Sequence, residues 1–129
     1  MNYIVGRGGL ACEFETYFGP QYGRPIKFLE IHKTDSGKYD CRVFNNRHEA
    51  YDDGQEYKPD PKDTFLFGTG SKKIKKIWFT ALSEWFTPSK KHFPNRFAPG
   101  VILPPKIEFG YGNVIARAIV TGDNKFGNF

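Results

Sequence analysis

Apolar residues recur at Ile74, Ile77, Trp78, Ala81, Leu82, Trp85 and Phe86, a spacing that lines one face of a helix. The pattern predicts an amphipathic helix over 72–86 with both tryptophans on its buried stripe. Ser71 stands where an N-cap belongs, directly after Gly68, Thr69 and Gly70, and Thr87-Pro88 supplies a stop. Other segments follow a strand pattern. Residues 2–5 and 10–18 read as two strands separated by Gly6-Arg7-Gly8-Gly9, and 26–33 and 38–44 as a hairpin around 34–37. An even loop would set Lys33 opposite Lys38 and place Phe28, Glu30 and His32 on one face with Tyr39, Cys41 and Val43. Residues 64–67 read as a short strand leading into the helix, and 106–109 with 114–120 as a closing hairpin.

The remaining segments lack periodicity. Residues 45–63 form an acidic stretch punctuated by Asp53-Gly54, Pro59 and Pro61, expected as a surface excursion. Residues 89–105 are basic and proline-rich, and 121–129 read as a frayed tail. The sum is one α+β domain over 1–129: a predominantly antiparallel sheet of hairpins with one principal amphipathic helix packed on it.

Composition changes this picture in one respect. Among the 129 residues are 13 Phe, 7 Tyr and 2 Trp, more rings than Leu, Ile and Val combined. The core must therefore be largely aromatic, and some rings are left for other work. Cys12 and Cys41 have no metal-ligand spacing, so neither a structural zinc nor any other metal or cofactor is expected. No apolar run is long enough to span a membrane, and the first residues read as a strand rather than a secretory signal. The expectation is a reduced, cytoplasmic protein.

The net charge of +5 is unevenly spread. Lys72, Lys73, Lys75, Lys76, Lys90, Lys91 and Arg96 face one anion, Glu84, between 70 and 96, whereas 45–63 is net acidic. Four lysines at a helix start oppose the helix dipole, which gives them a reason to meet an anion. Lys90, Lys91 and Arg96 interleave with Phe93 and Phe97, the mixture a single-strand groove needs for phosphates and unpaired bases. Tyr39, Phe44 and Tyr111 are further stacking candidates, and Arg7 in its glycine-rich stretch is a further anion contact. The same rings also suit loops anchored to a core.

These features lead to the expectation of a small nucleic-acid-binding protein, with single-stranded DNA or RNA favoured. A homodimer would lengthen its groove, although no sequence signature marks one. The alternative is a protein-interaction module, such as an inhibitor of a nucleic-acid-processing complex. Asp52, Asp53 and Glu56 would then meet a basic partner. A third reading is a small nuclease, with His32 as general base beside Glu30 or with the acidic run holding a metal. The phosphate-loop signature GxxxxGK[ST] is absent, as are zinc knuckles and aromatic RNA-binding strand motifs.

Overall fold

The computed structural model describes residues 1–22, 26–98, 101, 108–115, 125–126 and 128–129. Strand β1 (Asn2–Val5) leads through the glycine loop into helix α1 (Gly9–Tyr22), and the chain returns along β2 (Lys27–Lys33). A helix that carries the chain back to its starting edge forces parallel pairing, and Tyr3, Ile4 and Val5 lie opposite Lys27, Phe28 and Leu29. Strands β3 (Tyr39–Phe44), β4 (Gln55–Glu56) and β5 (Thr64–Phe67) complete a five-stranded sheet in the order β4-β3-β2-β1-β5. β5 lies parallel to β1 on its other side and feeds helix α2 (Lys72–Leu82). The α+β class holds, but the sheet is mixed rather than predominantly antiparallel, and it carries two helices rather than one.

Residues 10–18 are thus helical. Glu13-Phe14-Glu15 alternates like a strand, yet the residues α1 buries are Ala11, Phe14 and Phe18, at spacings of three and four. The hairpin register also shifts by one. The loop has five residues, closed by Thr34 N–H donating to the Lys38 carbonyl at 2.7 Å, so Lys33 lies opposite Tyr39. That shift sorts the sheet. Leu29, Ile31, Cys41 and Val43 gather under α2, while Phe28 and Phe44 lie under α1 with Glu30, His32, Asp40 and Arg42 farther along the same face.

The two helices cover opposite faces. Tyr3, Val5, Phe65 and Phe67 pack with Ala81 and Leu82 of α2, whereas Ile4 and Leu66 pack with Ala11, Phe14 and Phe18 of α1. Helix α2 stops earlier than the apolar stripe suggests. Ser83 caps its end, with its hydroxyl and its N–H both donating to the Phe79 carbonyl, and Trp85 beyond it is 43% exposed rather than buried.

The acidic stretch is not all surface. It contributes β4 and buries Tyr57 and Asp63, whose carboxylate accepts from the Tyr57 hydroxyl at 2.5 Å and the Met1 ammonium at 3.2 Å. Cys12 on α1 and Cys41 on the sheet face under α2 are free thiols, and burial pushes the Cys41 thiol up to about 11.

The closing hairpin is replaced by parallel pairs. β6 (Arg96–Phe97) pairs β8 (Val114–Ile115), and β7 (Glu108–Phe109) pairs β9 (Lys125–Phe126). Residues 106–107 and 116–120 of that expected hairpin lie outside the described residues. The tail ends docked rather than frayed: Phe129 stacks on Phe67 at 4.7 Å and donates its N–H to the Tyr111 carbonyl. Residues 121–124 and 127 lie outside the described residues.

Candidate functional site

Adjacent parallel strands β1 and β5 end side by side, each in a glycine-bearing loop, and their helices leave toward opposite faces of the sheet. Such a divergence leaves a crevice at the carboxyl ends of the strands, where open α/β sheets characteristically bind ligands. The crevice here is a cleft of about 460 Å³. Gly6, Arg7 and Gly8 border it on one side and Gly68 and Thr69 on another, while Ile74, Ile77 and Trp78 of α2 form an apolar wall. β2 runs past the end of β1, since Val5 pairs with Leu29, so Glu30, Ile31, His32 and Lys33 form the remaining wall.

Two glycines make this close approach possible. Gly6 has φ +99°, and a Cβ there would come within 3.0 Å of the Trp78 ring. At Gly68 a Cβ would lie 2.8 Å from Ala11 Cβ and 3.0 Å from the Val5 carbonyl oxygen. The start of α1 is therefore seated directly on the loop that begins α2.

A chain of polar contacts runs along the cleft. Arg7 Nε donates to Glu30 Oε1 at 2.7 Å, and His32 Nε2 lies 3.1 Å from Glu30 Oε2. Arg7 also donates to the Glu49 carbonyl at 2.5 Å and lies over the Phe44 ring at 3.6 Å. Burial alone would raise the Glu30 carboxyl. Hydrogen bonds from Arg7 and His32 outweigh burial and hold it below the usual Glu value. Behind this chain Asp40 accepts from Arg42 at 3.1 Å and from the Tyr51 hydroxyl at 2.5 Å, and the Tyr51 ring stands edge-on to His32 at 5.4 Å. Burial and Asp40 push the Tyr51 phenol up to about 12, which keeps it a donor.

The residues expected at a nucleic-acid surface separate into two groups. Arg7 is held by Glu30, and Arg96 donates to the Tyr22 hydroxyl while its guanidinium lies over that ring at 4.4 Å. Phe44 and Phe93 are fully buried and offer no face to a base. Tyr39 and Tyr111 are half-buried, Tyr111 stacking on Phe79. The lysines differ. Lys72, Lys73, Lys76, Lys90 and Lys91 are exposed and Lys75 half-buried, and none has an ion pair among the described residues. Asp52, Asp53 and Glu56 are exposed at the far edge of the sheet, around β4.

Helix α2 begins as the sequence implies, with Ile74 N–H donating to the Ser71 hydroxyl. The lysines sit outside the cleft, and Lys75 instead lines a second hollow of about 470 Å³ with Leu10, Phe14, Gly70 and Phe129. Thr69 borders both hollows. Sequence reasoning missed Glu30, Lys33, Thr69 and Trp78 as parts of one site. The signal for them was the repeated order of strand, glycine loop and helix, at 2–22 and again at 64–82. Among the described residues no cluster of His, Cys, Asp and Glu fits a metal ion, and no helix is long and apolar enough to cross a membrane. No family model matches the chain, and no curated protein or solved structure matches it.

Proposed function

We propose that this protein binds a small phosphate-bearing ligand in the cleft between the β1–α1 and β5–α2 loops. One observation carries the reading: two glycine-bearing strand-to-helix loops meet at the carboxyl ends of neighbouring parallel strands and open on a concave site. Helix starts favour anions through their dipoles and N–H groups, and Gly68 and Gly6 let backbone approach closely. The volume of about 460 Å³ lies in the range of small-ligand sites, and the Trp78 wall suits the ligand's apolar or ring-bearing part.

A second reading, single-stranded nucleic acid along α2, is supported by exposed lysines that have no ion pair among the described residues. One experiment separates the two. Amide NMR shifts are followed while inorganic phosphate, small phosphate esters and a single-stranded oligonucleotide are added across a salt series. Saturable shifts at Gly8, Thr69 and Trp78 with small esters are expected. Shifts confined to Lys72, Lys73 and Lys76, growing with oligonucleotide length and vanishing with salt, would replace the cleft reading with the nucleic-acid one.

A further inference from the structure

We infer that the ligand of this cleft is a nucleoside monophosphate, whose base pairs with the free backbone edge of β2 at Ile31 and Lys33. The inference rests on the phosphate reading above and names the rest of the ligand.

The free edge follows from strand geometry. Along a strand, the N–H and C=O of successive residues point alternately to its two neighbours. Thr34 N–H donates to the Lys38 carbonyl, so Thr34 faces the β3 side, and His32 and Glu30 face it too. Leu29 faces β1, where its carbonyl accepts from Gly6 N–H at 2.8 Å, and Ile31 and Lys33 face the same way. No residue of β1 stands opposite them. Val5 ends that strand, and Gly6, with φ +99°, turns the chain out of the strand direction. Among the described residues nothing pairs with the backbone of Ile31 or Lys33 on that side. Both residues line the cleft, and Ile31 is only 4% exposed. A donor and an acceptor opening on a cleft from so buried a residue call for a partner that satisfies both.

The side chains define what that partner is. Ile31 and Lys33 belong to the α2 side of the sheet, with Ile74, Ile77 and Trp78, whereas Glu30 lies on the other side, bound to Arg7. A flat ring pairing edge-on with β2 continues the plane of the sheet, so one of its faces meets the apolar wall of α2. Its other face meets the Arg7–Glu30 pair. A nucleobase has this form: two broad faces and an edge on which donors and acceptors lie side by side. An alkyl chain would cover the strand edge without pairing it. An added peptide strand needs a longer edge than Ile31 and Lys33 provide. The two glycine loops close the base of the cleft, where the phosphate of the same molecule would sit.

The test is an NMR titration of the isotope-labelled full chain with inorganic phosphate, ribose 5-phosphate and the four common nucleoside 5′-monophosphates. Gly8 and Thr69 amides should move with every probe. The amide protons of Ile31 and Lys33 should move downfield with nucleotides alone, and at least one nucleotide should bind about tenfold tighter than ribose 5-phosphate. Ile74→Ala should cut that advantage about threefold and leave ribose 5-phosphate binding unchanged. Ile74 is 39% exposed, so the substitution does not empty the core. Nucleotides no tighter than ribose 5-phosphate, or Ile31 and Lys33 amides unmoved at saturation, would overturn this inference and leave the phosphate reading standing. Failure of every probe to bind would overturn both.

Discussion

The loops at 6–9 and 68–71 are built alike and use charge in opposite ways. Both follow parallel strands, contain a glycine that packing requires and open into a helix. The first carries a single cation, Arg7, bound to a carboxylate, a carbonyl and an aromatic face. The second is followed by four lysines with no ion pair among the described residues. Guanidinium groups suit this fixed, planar bracing, whereas ammonium groups are strongly hydrated and stay at the surface. A run of cations in sequence is therefore not one chemical property: here Arg7 and Arg96 hold the fold, and the lysines do not.

That contrast is most severely tested by Gly68→Val. The side chain would collide with Ala11 and with the Val5 carbonyl, and a destabilisation of about 3 kcal/mol in urea unfolding is expected. Gly8→Ala, where nothing lies within 4 Å, should stay within about 0.5 kcal/mol. Equal effects would show that the loops are not packed as described.

Arg7→Met comes next, at about 2 kcal/mol by the same measurement, because Glu30 is left partly buried without its main partner. Glu30→Gln should cost about 1–2 kcal/mol near neutral pH. Its folded carboxyl is held below the unfolded value, so that contribution is present above the ordinary Glu range and lost as pH falls below it. The stability curves of the wild type and of the Glu30→Gln variant should accordingly converge in acid; a gap that stays constant down to about pH 2 would assign the effect to packing instead. Replacing Lys72, Lys73 and Lys76 together by glutamine should change stability least, by about 0.5 kcal/mol or less. A larger loss would give the lysines a structural role and erase the contrast.

The sequence was informative where a pattern is local. Strands at 2–5 and 64–67 and the Ser71 cap follow from short apolar runs bounded by glycine and from capping chemistry. Helix α1 was obscured because three residues, Glu13-Phe14-Glu15, mimic a strand inside a helical spacing that spans Ala11 to Phe18. The hairpin register depended on a five-residue loop that composition alone does not specify. The cleft was least legible. Its walls come from β1, β2, β5 and α2, and only the parallel pairing of β1 with β5 brings the glycine loops together. Helical spacing marked Ile74 and Trp85 as core, yet both remain exposed because α2 ends at Leu82 and its first turn overhangs the cleft.

The central position of β1 also bears on how the chain reaches this state. Asn2 pairs with Thr64, so one flank of the first strand must wait for a partner 62 positions later. Contacts this distant require closing a large loop before they return any stabilisation, and chains rich in them fold slowly. β1, α1, β2 and β3 can associate early from neighbouring segments, but the β5 side of the cleft cannot exist until that closure occurs. Closure of the cleft should therefore lag behind the first protected amides in refolding, and the last step in making it is set by topology rather than by any residue that lines it.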